Sequence, residues 1–284
     1  DPTWRVFSYA QEDALMALAS QAMTFISKKH PEIKLIRDEK CDHWNEFLSE
    51  KAEVCSTSTL QQYASKIRKL ERVINHIYLA NVNWHSNLRL PTSKKTPGGQ
   101  ELRTQQMALE DFKDIIEWCT RPGSKSYAHV AAELSKRFGY RVSGASKAVV
   151  GDVHLDKKGR FGFGQITIIE KGGRRREVDI MTAEDRAYIA DLITGRAPTD
   201  KLVGLRADSI NRQLHRAMSA LGIKGKYPVT SEHSIRKLYS QTLYDHCRNA
   251  GLNKDTVIRY VNSQLGHAQD RDIKLLKRYV HNIW

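Results

Sequence analysis

Hydrophobic residues in the first third of the chain recur at helical spacing. Three stretches follow this pattern, and their apolar positions are Leu15, Leu18, Ala22 and Phe25 in the first, Trp44, Phe47 and Leu48 in the second, and Tyr63, Ile67, Leu70, Ile74 and Ile77 in the third. The spacing predicts helices over Asp13–Lys29, around Trp44–Leu48 and over Ser58–Leu79, because residues three and four apart share one helical face.

The next segment interrupts this pattern. Pro91–Gln100 contains two prolines, two glycines and two lysines, and it has no apolar residue. Such a composition is typical of a linker between domains. We therefore predict a helical domain over residues 1–92, a linker over 93–104 and a second domain over 105–284.

The second domain contains hydrophobic residues at both helical and strand-like spacing. Helical spacing predicts helices over Leu109–Cys119, Tyr127–Phe138, Asp185–Leu192, Ser209–Leu221, Ser231–Asn249, Lys254–Leu265 and from about Asp272 to Val280. Between them, two short runs read as strands, Gln165–Glu170 and Arg175–Ile180, around a turn at Gly172–Gly173. The predicted fold class is mainly α with a small β-sheet, divided into a helical domain and a mixed α/β domain.

Charge separates the two predicted domains. The chain of 284 residues has a net charge of +14, but residues 1–92 hold 12 Lys and Arg against 11 Asp and Glu, and residues 93–284 hold 34 against 21. Strong positive charge confined to one folded part favours a polyanionic partner, most often nucleic acid. A basic surface kept only for solubility is the alternative.

Other features exclude whole classes of protein. No apolar run approaches the roughly 18 residues of a membrane span, so no membrane partner is expected. The four cysteines lie far apart, and the chain contains neither a CxxC pair nor a GxxxxGK[ST] loop. We therefore expect reduced thiols, no structural zinc and no nucleotide cofactor in a cytoplasmic protein.

Candidate chemistry clusters near the C-terminal end. His233 and Arg236 are three residues apart at a predicted helix start, so both side chains leave one face. His267 follows Gly266, which is a natural residue after a helix end, and Tyr279 lies twelve residues later. A histidine and an arginine converging at a helix N-terminus suit a phosphate oxyanion. Taken singly, each of these residues is more often structural.

Two upstream segments complete the set. Arg141 lies in a glycine-containing turn after a predicted helix, in GYRVSG, and Lys171 precedes the glycines of the predicted hairpin. Three arginines follow those glycines at positions 174, 175 and 176. Each could equally belong to an ordinary solvated surface.

The order of these five elements resembles the catalytic set of the tyrosine recombinases. The segment GYRVSG is similar to that family's first-arginine turn, IIEKGGRRREVDI to its lysine hairpin, SEHSIRKLYSQTL to its HxxR helix and KRYVH to its nucleophile box. Two differences stand out. Gly144 occupies the position where the family usually has an acid, and the separation of His267 from Tyr279 is slightly longer than usual.

The resemblance implies a function and a set of roles. A site-specific recombinase would cleave and rejoin double-stranded DNA through a phosphotyrosyl intermediate, with two domains closing on the duplex as a C-shaped clamp and four protomers on two sites. The implied catalytic residues are Arg141, Lys171, His233, Arg236, His267 and Tyr279, without metal or cofactor. The candidate DNA contacts are Lys66, Arg68, Lys69, Arg72, Lys94, Lys95, Arg174, Arg175, Arg176 and Lys237.

Three alternative functions remain compatible with the sequence. A type IB topoisomerase and a hairpin telomere resolvase would use the same residue chemistry. A non-catalytic DNA-binding protein would keep the basic surface but would not need Tyr279. Formation of a covalent protein–DNA adduct separates the enzymes from the binding protein.

Overall fold

The chain divides into two compact units, Asp1–Gly98 and Gly99–Trp284. The computed structural model describes residues 3–6, 8–94, 106–124, 126–169, 173–227, 232–267, 273–281 and 283. Most of the predicted linker over 93–104, including Lys95, lies outside the described residues. The assignment of residues 1–92 as a core-binding domain that clamps DNA and of residues 105–284 as a catalytic domain, which the resemblance implies, stays a prediction.

The first unit contains three long helices, α1 (Tyr9–Lys29), α2 (Cys41–Val54) and α3 (Thr57–Tyr78). The first helix begins four residues before the predicted start, because Ser8 caps it by accepting a hydrogen bond from the Gln11 amide. Ser56 caps α3 in the same way through the Thr59 amide. These caps lie outside the apolar stripe, so hydrophobic spacing alone did not locate the helix ends.

Aromatic side chains fill the core of the first unit. Trp44, Phe47 and Trp84 are fully or almost fully buried, and the two tryptophan rings lie 5.1 Å apart between centroids. The predicted apolar stripe on α3 packs into the core as far as Ile74, but Ile77 is 61% exposed. The prediction was wrong for Ile77 because the core cluster packed against α3 ends at Ile74.

The second unit is built around α5. Its described helices are α4 (Leu109–Thr120), α5 (Ala128–Phe138), α6 (Val142–Ala145), α7 (Ala183–Ile193), α8 (Ala207–Ala220), α9 (Glu232–Asn249), α10 (Lys254–Gln264) and α11 (Ile273–Leu276). Helix α5 packs against α4, α6, α8 and α9, and α10 packs against α9. The ends of α5 and α10 therefore both lie near α9.

A three-stranded antiparallel sheet lies beside these helices. Its strands are β1 (Val153–His154), β2 (Gln165–Ile169) and β3 (Arg175–Asp179), in the order β1-β2-β3. The register pairs Gln165 with Asp179 and Ile169 with Arg175. The sequence missed β1, because two residues are too short to show a period. Strand β3 packs against α10.

The predicted fold class, mainly α with a small β-sheet, is confirmed. Each predicted helix in the described part has a counterpart, although the last is much shorter than expected. Among the described residues, no helix combines the length and apolar character needed to cross a lipid bilayer.

Candidate active site

A glycine turn at the end of α5 organises the site. Gly139 has a φ of 65°, and a Cβ placed on it would lie 2.5 Å from the Tyr239 ring. A larger residue would therefore meet both backbone strain and a ring in close contact. The turn leads directly through Tyr140 to Arg141, which is partly exposed at the start of α6.

Two buried arginines share the carbonyl oxygen of Gly139. Arg236 donates to it from Nη1 at 2.5 Å, and Arg176 donates from Nη2 at 2.8 Å. Their other terminal nitrogens donate to Leu265 O and Gln264 O at the end of α10. Helix ends expose carbonyls without helical partners and carry partial negative charge, so they suit buried cations. The two arginines thus join the end of α5 to the end of α10.

The position of Arg176 corrects its interpretation as a DNA contact. Its side chain is 8% exposed, whereas Arg174 and Arg175 lie at the surface. Successive side chains of a strand point to opposite faces. On β3, Arg176 and Val178 therefore face the interior, and only the other two arginines remain available at the surface.

Tyr279 lies between two histidines from distant segments. Its ring centroid is 5.4 Å from that of His233 at the start of α9 and 5.3 Å from that of His267 after α10. Tyr279 is 8% exposed. The predicted final helix, from about Asp272 to Val280, is corrected: α11 ends at Leu276, and the Tyr279 amide donates to Leu276 O within the following turn.

Burial and nearby positive charge act together on His233. They lower its pKa to about 4, with burial as the largest cause, followed by Arg236, Lys237, Arg141 and His267. Both effects disfavour a charged imidazole. His233 is therefore neutral near pH 7 and has a ring nitrogen that can accept a proton.

Comparison with known proteins gives a fold but no close relative. No family model matches the chain, and no curated protein matches it. Among solved structures, a lambda integrase dimer bound to a COC′ core site has a TM-score of 0.59 and 14% identity, covering 97% of this chain and 89% of that chain. XerH site-specific recombinase bound to difH in a pre-cleavage complex has a TM-score of 0.56 and 16% identity, covering 94% and 75%.

A third structure extends the likeness. The Tn1549 transposon integrase in complex with circular intermediate DNA has a TM-score of 0.53 and 11% identity, covering 93% of this chain and 95% of that chain. The chain has the tyrosine recombinase fold. At these identities the likeness establishes the fold alone.

In this tyrosine recombinase fold, five of the six predicted catalytic residues lie in the described part. The fold places His233, His267 and Tyr279 in mutual proximity, Arg236 beside them on α9, and Arg141 close enough to influence His233 electrostatically. Lys171 lies outside the described residues. Arg236 is fully buried, and its two terminal nitrogens both donate to carbonyls.

Lys237 also departs from its predicted role as a DNA contact. It is 1% exposed, and Nζ makes no hydrogen bond to the described part of the chain. Burial lowers its pKa to about 8. The interpretation is corrected because α9 packs into the unit along this side as well, so Lys237 does not reach the protein surface.

An acid missed by sequence analysis lies near the Arg141 turn. Glu232 is 7% exposed, and Ser135 Oγ lies 2.7 Å from its Oε1 and 3.0 Å from Tyr140 O. Gly144, where the family has an acid, packs toward Tyr140 and Ile168. The only signal for Glu232 in the sequence was its position directly before His233.

The remaining candidate DNA contacts differ in availability. Arg68 and Arg72 are exposed on α3, and Lys66 is partly exposed. Lys69 donates to the carbonyls of residues 3 and 5, and Lys94 forms a surface ion pair of 2.7 Å with Glu53. Of these basic residues, the exposed Arg68 and Arg72 are therefore the better candidates for phosphate binding.

Proposed function

We propose that this protein is a site-specific DNA recombinase that cleaves and rejoins double-stranded DNA through a 3′-phosphotyrosyl intermediate. The observation that carries the proposal is the convergence of His233, His267 and Tyr279 within a tyrosine recombinase fold. A phenol held between two imidazoles, beside a buried arginine, suits attack on a phosphodiester.

The attack requires proton transfer at two oxygens. Tyr279 Oη forms a bond to phosphorus, and its proton passes to neutral His233. The bond from phosphorus to the 5′-oxygen breaks, and that oxygen must gain a proton to leave as a hydroxyl. Rejoining runs the same steps in reverse, so the energy of the phosphodiester is kept in the phosphotyrosine.

Positive groups stabilise the extra charge of the pentacoordinate state. Arg141 and His267 are the proposed donors to the nonbridging oxygens, and the buried Arg236 is proposed to contribute positive charge beside them. The carbonyl contacts of Arg236 position its guanidinium before DNA arrives. Glu232 is a proposed support for the Arg141 turn through Ser135.

Lys171 is the proposed general acid for the 5′-oxygen. It precedes Gly172 in the connection between β2 and β3, which is the segment similar to the family's lysine hairpin. A lysine ammonium can donate the required proton. This role rests on the resemblance and on the chemistry alone.

The proposed partner is double-stranded DNA with a specific target site. The excess positive charge of residues 93–284 supports extensive phosphate contact. Two domains closing around the duplex, a tetramer on two sites and a cytoplasmic, nucleoid-associated location belong to the same proposal. Integration or excision of a mobile element, or resolution, is the proposed biological setting.

Substitution of the nucleophile tests the proposal. Tyr279→Phe removes one hydroxyl, so it should abolish covalent adduct on a nicked target while leaving DNA affinity nearly unchanged. Tyr127→Phe, at an exposed tyrosine, is the matched control and should form adduct normally. Formation of adduct by the Tyr279→Phe protein would exclude Tyr279 as the nucleophile. If the unmutated protein forms no adduct on any selected site, the result favours a non-catalytic DNA-binding protein.

A modified substrate tests Lys171 separately. A 5′-bridging phosphorothiolate has a leaving group that needs no proton, so it should restore cleavage by Lys171→Ala to nearly the unmutated rate. It should not rescue Arg141→Ala to the same degree. Equal rescue of both variants would remove Lys171 from this role. Strand exchange between two sites, against relaxation of supercoils alone, distinguishes recombinase from topoisomerase.

A further inference from the structure

Lys237 occupies the middle of a stripe on α9 that faces the terminal segment. His233, Lys237 and Gln241 are spaced by four residues, so they share one helical face. At one end the His233 ring contacts Tyr279, and at the other Gln241 Oε1 accepts a hydrogen bond of 2.8 Å from the His281 amide. Lys237 therefore lies beneath residues 279–281.

This lysine is buried without a hydrogen bond to any described residue. Its exposure is 1%, and Nζ is enclosed. A buried ammonium normally has a carboxylate or several acceptors, because uncompensated burial of charge is costly. The two neighbouring arginines differ, since they donate to backbone carbonyls.

Among the described residues, the main influences on His233 are positive or neutral groups. Arg236 and Lys237 face it from α9, Arg141 from the start of α6 and His267 from the end of α10, while Tyr279 contacts it from the terminal segment. Glu232, which precedes His233 in the chain, is not among these main influences of the described residues. A proton added to His233 would therefore meet repulsion from each of the positive groups named here.

We propose that Lys237 is a positioning residue whose buried ammonium repels a second positive charge on His233 and so disfavours the charged form of that imidazole. This inference rests on the proposed function, in which His233 accepts the Tyr279 proton. Arg236 is the larger charged influence on His233, and Lys237 is the next. Arg236 donates to the carbonyls of Gly139 and Leu265, whereas no described residue accepts a hydrogen bond from Lys237 Nζ.

The charge of Lys237 is present over the range where this effect matters. Burial lowers the pKa of Lys237 to about 8, so most molecules keep the ammonium at pH 7 and below. His233 titrates lower, with a pKa of about 4. Lys237 is therefore charged throughout the titration of His233.

Titration of His233 by NMR tests the inference without DNA. The full chain is labelled in histidine, and the His233 ring signal is assigned by its loss in His233→Gln. Lys237→Met keeps the length of the side chain and removes its charge, so it should raise the His233 midpoint by about 0.5 to 1 pH unit. Lys237→Arg keeps the charge, so it should change the His233 midpoint by no more than about 0.2 pH unit. Lys254→Met, at an exposed lysine, controls for net charge and should cause no shift.

Folding of the variants is checked by thermal denaturation. Lys237→Met should unfold at the same or a higher temperature, because it removes an uncompensated buried charge. Lys237→Gln provides a second neutral replacement if the methionine variant does not fold. An unchanged His233 midpoint in the folded neutral variant would overturn the inference.

The pH profile of single-turnover cleavage provides the second readout. Its acid limb should move to higher pH in Lys237→Met by the same amount as the His233 midpoint, and Lys237→Arg should restore it. If a neutral variant of Lys237 shifts the His233 midpoint but leaves the acid limb of the cleavage profile unchanged, the link between the Lys237 charge and the reaction is overturned. If the unmutated protein forms no adduct, the proposed function fails, while the NMR titration still decides the electrostatic claim.

Discussion

Among the described residues, buried lysine and arginine side chains occur only in the second unit of this protein. Glu39 and Glu71 are the buried carboxylates of the first unit, whereas the second buries Arg176, Arg236 and Lys237 beside several acids. Each unit contains buried charged groups with several hydrogen bonds, whereas the charged atoms of Glu39 in the first unit and Lys237 in the second have no hydrogen-bond partner among the described residues. The comparison separates buried charges that join chain segments through hydrogen bonds from buried groups whose charged form is unfavourable because it has no hydrogen-bond partner.

The satisfied groups use backbone partners in both units. Glu71 accepts from the Trp84 amide at 2.5 Å and from the His85 amide at 2.8 Å, which ties the segment after α3 to the helix. Arg176 and Arg236 donate to carbonyls at the ends of α5 and α10. In both units a buried charged side chain joins two segments through backbone groups, and this side chain is a carboxylate in the first unit and an arginine in the second. Only in the second unit do the joined segments carry candidate catalytic residues.

Glu39 and Lys237 are the contrasting pair. Among the described residues, neither carboxylate oxygen of Glu39 has a hydrogen-bond partner, and burial raises the pKa of Glu39 to about 8. Glu39 is thus an uncharged acid at pH 7, whereas Lys237 keeps most of its charge there. Glu39 lies in a unit for which no chemistry is proposed, so its expected effect is on stability alone.

Arg236→Met should have the largest effect on the second unit. It leaves Leu265 O without this donor and removes one of two donors to Gly139 O, so the free energy of unfolding should fall by roughly 3–4 kcal/mol. Denaturant unfolding followed by hydrogen exchange in α5 and α10 measures it. Arg175→Met, on the exposed face of β3, should change stability by less than about 0.5 kcal/mol. Equal losses in both variants would contradict a joining role for the buried arginine.

Glu39→Gln should remove a pH dependence from the first unit. Because the folded pKa is raised from 4.5 to about 8, its contribution to stability is fully present below pH 4.5 and is lost as pH rises toward 8. The unmutated first unit should lose about 3 kcal/mol between pH 5 and pH 8 from this group. Hydrogen exchange in α2 at several pH values reports the slope, and the same slope in Glu39→Gln would rule out this carboxyl.

Gly139→Ala should destabilise the second unit by about 2 kcal/mol or more, from left-handed strain and contact with the Tyr239 ring. Gly195→Ala is the matched control, because its φ is 72° and a Cβ there meets nothing within 4 Å. The difference between the two losses measures the ring contact. If the losses are equal, Tyr239 moves aside at no cost.

The smallest effect on folding is expected at exposed bases. Arg68→Ala with Arg72→Ala should leave stability nearly unchanged and, under the proposed function, reduce the salt slope of DNA binding by about 2. Affinity measured across a salt series tests this. A slope unchanged by the double substitution would exclude phosphate contact at this face of α3.

Several features were readable from local patterns. Helical spacing located the long helices, and the alternation around Gly172–Gly173 located β2 and β3, because their periods depend only on neighbouring residues. The ends were less certain, since caps such as Ser8 act outside the apolar stripe. Residues His233, His267 and Tyr279 were singled out by order and residue type.

The sequence by itself determined the fold class, the charge asymmetry and the set of candidate catalytic residues. Only the tertiary structure decided which basic residues lie at the surface. Arg176 and Lys237 look like their exposed neighbours in the sequence, but packing of β3 and α9 buries them. The convergence of Arg176 and Arg236 on Gly139 O is likewise invisible locally, because it joins residues 37 and 97 positions away from that glycine. Long-range hydrogen bonds of this kind depend on the folded arrangement of several elements, and no short pattern records them.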